Sequence, residues 1–141
     1  RLRRGRDSVH ALWLLLVVQV QFRVRGQRWV GRATREAMRV RPATQLEVDA
    51  AGIDAWQLGR SVWRAKRWLP LYSTCLQTAF ATQRLLAAKG VASALMVGVR
   101  AESPEAHAWV RVGDFILDDQ RLSEAFTAFA TPGGRVEGTG R

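Results

Sequence analysis

Apolar positions follow a helical period through the first part of the chain and a strand period after about residue 90. An unbroken apolar run, Ala11 to Val18, opens the helical part, and residues 22–41 continue it with apolar side chains three or four positions apart. Pro42 ends this segment, because proline cannot continue a helix interior. The apolar run is shorter than the roughly 20 residues that span a bilayer, and no small-residue cleavage site follows it. The pattern predicts a buried helix, with membrane association as a minor alternative.

Two further helices are predicted downstream of this proline. The segment Thr44-Gln45-Leu46-Glu47 has the form of a capping box, and its helix is expected to run to about Leu69. After a short loop, Ser73 or Thr74 can cap the next helix, which Gly90 ends.

The rest of the chain has the alternation and turn signals of short strands. The predicted strands are Ala94–Arg100, His107–Val112 and Phe115–Asp118, with a hairpin turn at Gly113-Asp114. A short helix is predicted for Ser123–Ala130. Residues 131–141 contain four glycines and no apolar face, which predicts a disordered tail.

These elements indicate the α+β class, with N-terminal helices packed on a small antiparallel sheet. At 141 residues the chain fits a single domain. Within it we expect a basic helical region at 1–43, a core at 44–130 and the tail.

The charge is concentrated in the N-terminal third. Residues 1–41 hold 11 Arg against Asp7 and Glu36, whereas residues 42–141 are nearly neutral, although the whole chain carries a formal net charge of +10. Such a segment can bind nucleic acid, a membrane surface or an acidic protein, or can be a solvated helix face. No zinc-finger spacing, RNA-binding aromatic motif or Gly-rich phosphate loop accompanies it.

The only cysteine, Cys75, falls at a predicted helix start. A single cysteine allows no internal disulfide, so a reducing cytoplasm is expected. Unpaired amides and the helix dipole at such a position lower the pKa of a thiol. His107 opens a strand, and Asp118-Asp119 ends the next one. A thiol, an imidazole and a carboxylate in this order indicate nucleophilic chemistry on an acyl group.

Each of these residues also has an ordinary structural interpretation. A lone cysteine is most often a buried small hydrophobe, a lone histidine a satisfied core or surface residue, and two adjacent aspartates a turn. The order of the elements, and the position of the cysteine at a helix start, favour the catalytic interpretation.

Strand parity leaves the choice of aspartate open. A two-residue turn at Gly113-Asp114 puts Asp118 on the sheet face of His107, whereas a three-residue loop puts Asp119 opposite His107. Gln120 or a backbone carbonyl can also orient the imidazole.

Four segments carry a resemblance to a known family, in order and spacing over roughly residues 45–120. They are Pro70-Leu71-Tyr72-Ser73-Thr74-Cys75-Leu76-Gln77-Thr78-Ala79-Phe80-Ala81, Leu85-Leu86-Ala87-Ala88-Lys89-Gly90, Val97-Gly98-Val99-Arg100 and Ala106-His107-Ala108-Trp109-Val110. Together they resemble the lasso-peptide biosynthesis B2 proteins, which are leader peptidases with a transglutaminase-like, papain-like core.

The resemblance implies a cysteine protease that removes the leader from a ribosomally synthesised precursor peptide. It implies Cys75 as nucleophile and His107 as base, and its spacing favours Asp119 over Asp118 as the third member. The implied partners are the precursor, a separate leader-recognition protein called B1 and an ATP-dependent macrocyclase, with the helices before Cys75 as candidates for docking. No metal, organic cofactor or nucleic acid is implied.

Two other functions remain as alternatives. The first is a different cysteine acyl-transfer enzyme on the same core. The second, carried only by the charge before residue 42, is a non-enzymatic basic module that binds nucleic acid with a steep salt dependence.

Overall fold

The computed structural model describes residues 2–69, 74–100, 106–118 and 126–128. The helices come first and the strands last, and the predicted α+β class is confirmed. In chain order the elements are α1 (Leu2–Arg39), α2 (Gln45–Ala50), α3 (Ala55–Trp68), α4 (Cys75–Ala88), β1 (Ala94–Arg100), β2 (Ala106–Val112), β3 (Phe115–Leu117) and β4 (Phe126–Ala128).

Helix α1 joins the two apolar segments of the N-terminal third. Its backbone leaves helical geometry at Gly26, where φ is 79° and ψ is 175°, so two helical segments meet at a kink. Ala11, Leu15 and Val18 are fully buried, and α1 packs against both α3 and α4. Within the described residues, no helix combines the length and the apolarity needed to cross a bilayer.

The single helix predicted from Thr44 to about Leu69 is wrong, because two local signals divide it. Thr44 caps α2 as expected and accepts a hydrogen bond from the Glu47 amide at 3.2 Å. The chain then turns at Gly52, whose φ of 67° is open to glycine at little cost. Asp54 starts α3 by accepting from the Gln57 amide at 3.2 Å, as an N-cap residue does.

The apolar faces of α3 and α4 form the centre of the core. Leu58, Val62 and Ala65 are buried, as their spacing predicts. Trp56 and Trp63 pack against this core and lie edge to face with each other, with ring centroids 5.3 Å apart. Helix α4 contributes a larger set of buried apolar side chains, namely Ala79, Phe80, Ala81, Leu85 and Leu86.

The sheet has the strand order β3-β2-β1-β4, with every neighbouring pair antiparallel. The short helix predicted for Ser123–Ala130 is wrong at Phe126–Ala128, which form β4 and pair with β1, Gly98 opposite Ala128. The other residues of that segment and the predicted tail lie outside the described residues. The helical pattern is overridden here because pairing with β1 satisfies the backbone groups along its second edge.

The tip of the β2–β3 hairpin is held by hydrogen bonds to the start of α2. The Gly113 amide donates to the Ala43 carbonyl at 2.8 Å, and the Asp114 amide donates to Gln45 Oε1 at 3.0 Å. Gly113 has a φ of 55°, and a Cβ there would lie 2.5 Å from Gln45 Oε1. Both the backbone conformation and the close approach therefore require glycine at this position.

Gly113→Ala is expected to destabilise the protein more than Gly52→Ala. Both substitutions place an alanine in the left-handed region, at a cost of roughly 1–2 kcal/mol. Gly52 has open space around its Cβ position, so it serves as the matched control for this backbone cost. At Gly113 the clash adds about 1 kcal/mol or more. Urea denaturation of both variants measures the difference, and equal losses would show that the hairpin tip does not depend on this contact.

Alternation along β2 separates the core from the opposite sheet face. Ala108, Val110 and Val112 join the hydrophobic core together with Leu117 of β3. His107 and Trp109 therefore lie on the other face, and both are nearly fully buried.

Candidate active site

Cys75 is the first residue of α4, and its position follows from a complete capping box. Thr74 Oγ1 accepts from the Gln77 amide at 3.2 Å, and Gln77 Oε1 accepts from the Thr74 amide at 3.1 Å. This reciprocal pair fixes the start of the helix one residue before the thiol. Cys75 is a free thiol and is partly exposed, so it combines support from a helix start with access for a reactant.

The thiol lies against a part of β2 that β3 does not cover. Val112 and Phe115 flank the two-residue turn, so by alternation the backbone groups of Ala106 and Ala108 point toward the β3 side of the strand. Strand β3 ends at Leu117 and reaches only as far as Val110. The Cys75 Sγ lies 4.0 Å from the Ala106 carbonyl oxygen, and the Ala108 amide also bonds to the sulfur.

His107 is held by a carboxylate on the same sheet face. Its Nε2 lies 2.8 Å from Asp118 Oδ1 and 2.9 Å from Oδ2, and the two side chains are 4% and 3% exposed. The β2–β3 register, continued by one pair, sets Asp118 opposite Trp109. This is the arrangement that a two-residue turn predicts for Asp118.

The hydrogen bond that His107 donates to Asp118 is the main reason that the pKa of His107 is raised to about 9. The hydrogen bond to Cys75 and the negative charges of both partners also raise this pKa, and burial opposes them. Because Nε2 of His107 is hydrogen-bonded to Asp118, the hydrogen bond between His107 and Cys75 involves Nδ1. The imidazole thus bridges a carboxylate and a thiol.

The hydrogen bond from His107 in turn lowers the pKa of Cys75 below its usual 9.0. Burial raises this pKa, while the amides of Ala108 and Leu76 and the charge of His107 lower it further. A lowered thiol pKa and a raised imidazole pKa favour a thiolate–imidazolium pair between the two values. Between these two pKa values the site is therefore suited to nucleophilic attack without prior removal of a proton.

The structure brings together Cys75, His107 and Asp118 of the residues that the sequence singled out. Asp119 and Gln120 lie outside the described residues. No group of three or more His, Cys, Asp and Glu side chains able to hold a metal ion occurs in the described parts of the chain.

Sequence reasoning gave no role at this site to Trp109. Its indole stacks on the imidazole of His107, with ring centroids 5.8 Å apart and an interplanar angle of 29°. The signal was the spacing His-x-Trp on a strand, which places both side chains on one face.

Comparison with known proteins yields a family but no individual relative. The sequence model described as the transglutaminase-like superfamily matches residues 14–131, which includes all four helices in part or whole and the entire sheet. Searches of curated proteins and of solved structures returned no match. The chain therefore belongs to the transglutaminase-like superfamily, whose members are commonly cysteine peptidases or acyltransferases.

Proposed function

We propose that this protein is a cysteine peptidase that removes the leader from a ribosomally synthesised lasso-peptide precursor. Cys75 is the nucleophile, His107 the acid and base, and Asp118 the residue that orients His107. The observation that carries the chemical part of the proposal is the imidazole held between Asp118 and Cys75, with Nε2 at 2.8 Å from the carboxylate. The resemblance over residues 45–120 supports the choice of substrate.

The first half of the reaction uses the thiolate–imidazolium pair directly. The Cys75 sulfur attacks the scissile carbonyl carbon, and the carbonyl oxygen becomes an oxyanion beside the first turn of α4. The Cys75 amide in that turn has no partner within its own helix, which makes it a candidate donor to the oxyanion. Nδ1 of His107 then gives its proton to the leaving amine, the C–N bond breaks, and the leader stays on Cys75 as a thioester.

The second half returns the enzyme to its starting state. Neutral His107 takes a proton from water, and the resulting hydroxide attacks the thioester. The C–S bond breaks, releasing the leader with a new carboxylate, and the thiolate and imidazolium pair again. Throughout the reaction, the Asp118 carboxylate accepts a hydrogen bond from Nε2–H of His107 and stabilises the imidazolium.

The test is reconstitution of the precursor, the leader-recognition protein and this chain, followed by mass measurement of the products. Separate leader and core peptides, with one water added across the cut bond, are the expected result. An intact precursor under conditions in which Cys75 is reactive would contradict the peptidase function.

A second candidate is an acyltransferase that uses the same three residues, and family membership favours considering it. The difference lies in which nucleophile attacks the thioester. Adding an amine such as glycine methyl ester during turnover separates the two functions. Quantitative transfer of the acyl group to the amine, with little hydrolysis, would favour the acyltransferase.

The proposed function takes place in the cytoplasm and involves a leader-recognition protein and a macrocyclase. A surface for the recognition protein is available on α1. Five apolar side chains recur every three or four residues on the side opposite the buried face, and we call them the α1 stripe: Val9, Trp13, Leu16, Val20 and Val24. Their exposed fractions range from 37% for Leu16 to 77% for Val24.

Charge favours an acidic partner on the α1 stripe over a second copy of this chain. Arg6 and Arg23 lie near its two ends and are exposed. Antiparallel pairing of two copies centred on Leu16 would bring Arg6 of one copy close to Arg23 and Arg25 of the other, which is repulsive. An apolar surface with acidic flanks on the recognition protein would be complementary to the stripe instead.

The double variant Trp13→Glu/Val20→Glu is expected to lower partner-stimulated cleavage about tenfold or more. Exposed aromatic side chains are frequent anchors of interfaces, and a loss of 1.4 kcal/mol in binding is tenfold in affinity. Trp68→Glu is the matched control, because Trp68 is 82% exposed but lies at the end of α3. Alkylation of Cys75 should be unchanged in all variants.

Full stimulation of cleavage in the double variant would exclude the α1 stripe as the binding surface. If the unsubstituted protein binds anionic phospholipid vesicles and the double variant does not, the stripe would be assigned to a membrane in place of the recognition protein.

A further inference from the structure

The sheet face that carries His107 also carries the aromatic ring of Trp109, directly beside the reacting pair. Trp109 and His107 are each 4% exposed, and their rings stack with centroids 5.8 Å apart. The mechanism above uses only the two nitrogens of the imidazole, at its edge. Trp109 contacts the face of the imidazole ring, so this contact limits tilting of the ring plane rather than the positions of the nitrogens.

We propose that Trp109 is a positioning residue for the Cys75–His107 pair, and that its indole holds the plane of the imidazole and favours the protonated ring. The proposal rests on the proposed function only in treating Cys75 and His107 as the reacting pair. It does not depend on which acyl substrate the protein accepts.

The geometric part of the argument concerns tilt of the imidazole ring. The hydrogen bonds that the imidazolium donates to Asp118 and Cys75 fix its two nitrogens in the ring plane, but they only weakly resist rotation of the ring about the line through those nitrogens. An indole lying within 29° of parallel limits that rotation by contact. Because Asp118 lies opposite Trp109 in the continued register, the indole also borders the Nε2–carboxylate hydrogen bond and keeps water from it.

The electrostatic part concerns the charge of the imidazole. A cation within about 6 Å of the centroid of a tryptophan ring is attracted by its negative face, and more so when the site is desolvated. Of the described titratable groups, Asp118 and Cys75 contact the imidazole and favour its charged form. The positive charge of Arg111 lies on the same face of β2, two residues beyond Trp109. The indole adds to the two favourable contributions.

The expected consequence is a lower titration midpoint for His107 when the indole is removed. Trp109→Leu should lower the midpoint from about 9 by roughly half to one pH unit, and Trp109→Phe should lower it less. Imidazole nitrogen resonances measured by NMR over a pH series give the midpoint. The chain has only two histidines, so the His10→Gln variant assigns the resonances of His107.

Trp63→Leu is the matched control for general loss of packing. Trp63 is also a partly buried tryptophan in contact with another ring, edge to face with Trp56, but it lies on α3. The Trp63→Leu variant should leave the titration midpoint of His107 unchanged. Rates of Cys75 alkylation by iodoacetate supply the second measurement, since the anionic reagent is attracted by the imidazolium. The alkaline limb of the alkylation rate should move to lower pH in Trp109→Leu and should stay in place in Trp63→Leu.

Fluorinated tryptophan keeps the test valid if Trp109→Leu does not fold. Fluorine withdraws charge from the ring face while changing the shape little, so the His107 midpoint should fall in the labelled protein. An unchanged His107 midpoint in folded variant or labelled protein would overturn the proposal. Because neither measurement needs a substrate, a protein that cleaves no precursor but shows these shifts would contradict the peptidase function and leave the role of Trp109 standing.

Discussion

Cys75→Ala is expected to abolish leader removal and leave the fold intact. Cys75 is the only thiol in the chain, so no neighbouring cysteine can replace it. Removing a nucleophile from such a unit costs on the order of 10³-fold or more in turnover. The side chain is partly exposed at the first position of α4, where alanine is well tolerated, so little stability should be lost. Mass spectrometry of the precursor incubated with the recognition protein and the variant measures the loss.

Cys75→Ser is the matched control for size and polarity at this position. A serine hydroxyl is not ionised by His107 near neutral pH, so this variant should fold, bind the recognition protein and cleave almost nothing. Circular dichroism and partner binding should match the unsubstituted protein in both variants. Normal cleavage by Cys75→Ala would end the cysteine peptidase proposal, and an alkylated but still active protein would do the same.

Local chemistry in the sequence is sufficient for the starts of α2 and α4 and for the hairpin. Thr44 and Thr74 are found as N-caps, and Gly113-Asp114 is found as the two-residue turn. The break between α2 and α3 escaped the sequence reasoning because the apolar period continues across it, while Gly52 and Asp54 stop and restart the helix. The strand at Phe126–Ala128 could not be predicted locally, because its pairing with β1 depends on residues far back in the chain, with Gly98 opposite Ala128 and Arg100 opposite Phe126.

The site was predictable to the extent that order along the chain determines geometry. A capped helix carrying Cys75 and a strand carrying His107 were enough to suggest that the two side chains meet. Which aspartate joins them depends on a one-residue difference in the turn, since each step of one residue moves a side chain to the other face. The stacking of Trp109 depends on the angle between two rings, which no spacing rule supplies.

Asp118→Ala is expected to lower turnover on the order of 10²-fold or more, with an effect on pH dependence that identifies the cause. The hydrogen bond that Asp118 accepts from His107 is the largest contribution to the raised pKa of His107. Without it the imidazolium is lost at lower pH, so the alkaline limb of the cleavage rate should move down from about 9. The acid limb, set by the lowered pKa of Cys75, should move up, because a less charged imidazole supports the thiolate less.

The free energy of unfolding should also depend on pH through the raised pKa of His107. The raised pKa of His107 contributes stability that is fully present below its unfolded value of about 6.5 and is lost as pH rises through about 9. In Asp118→Ala the greater part of this contribution disappears, and the buried Nε2 loses its acceptor, at a cost of about 1–3 kcal/mol. The difference in unfolding free energy between the two proteins should therefore be larger at pH 6 than at pH 10.

Asp118→Asn separates the hydrogen bond from the charge. The amide oxygen can still accept from Nε2, so the ring stays oriented and the protein should fold, but the imidazolium loses its carboxylate. We expect a smaller loss of turnover than in Asp118→Ala and a similar downward shift of the alkaline limb. Asp119→Ala, one residue along, is the matched control and should be mild. A strong effect at Asp119 with a mild one at Asp118 would transfer the role to Asp119, and two mild effects would assign the orientation of His107 to another group.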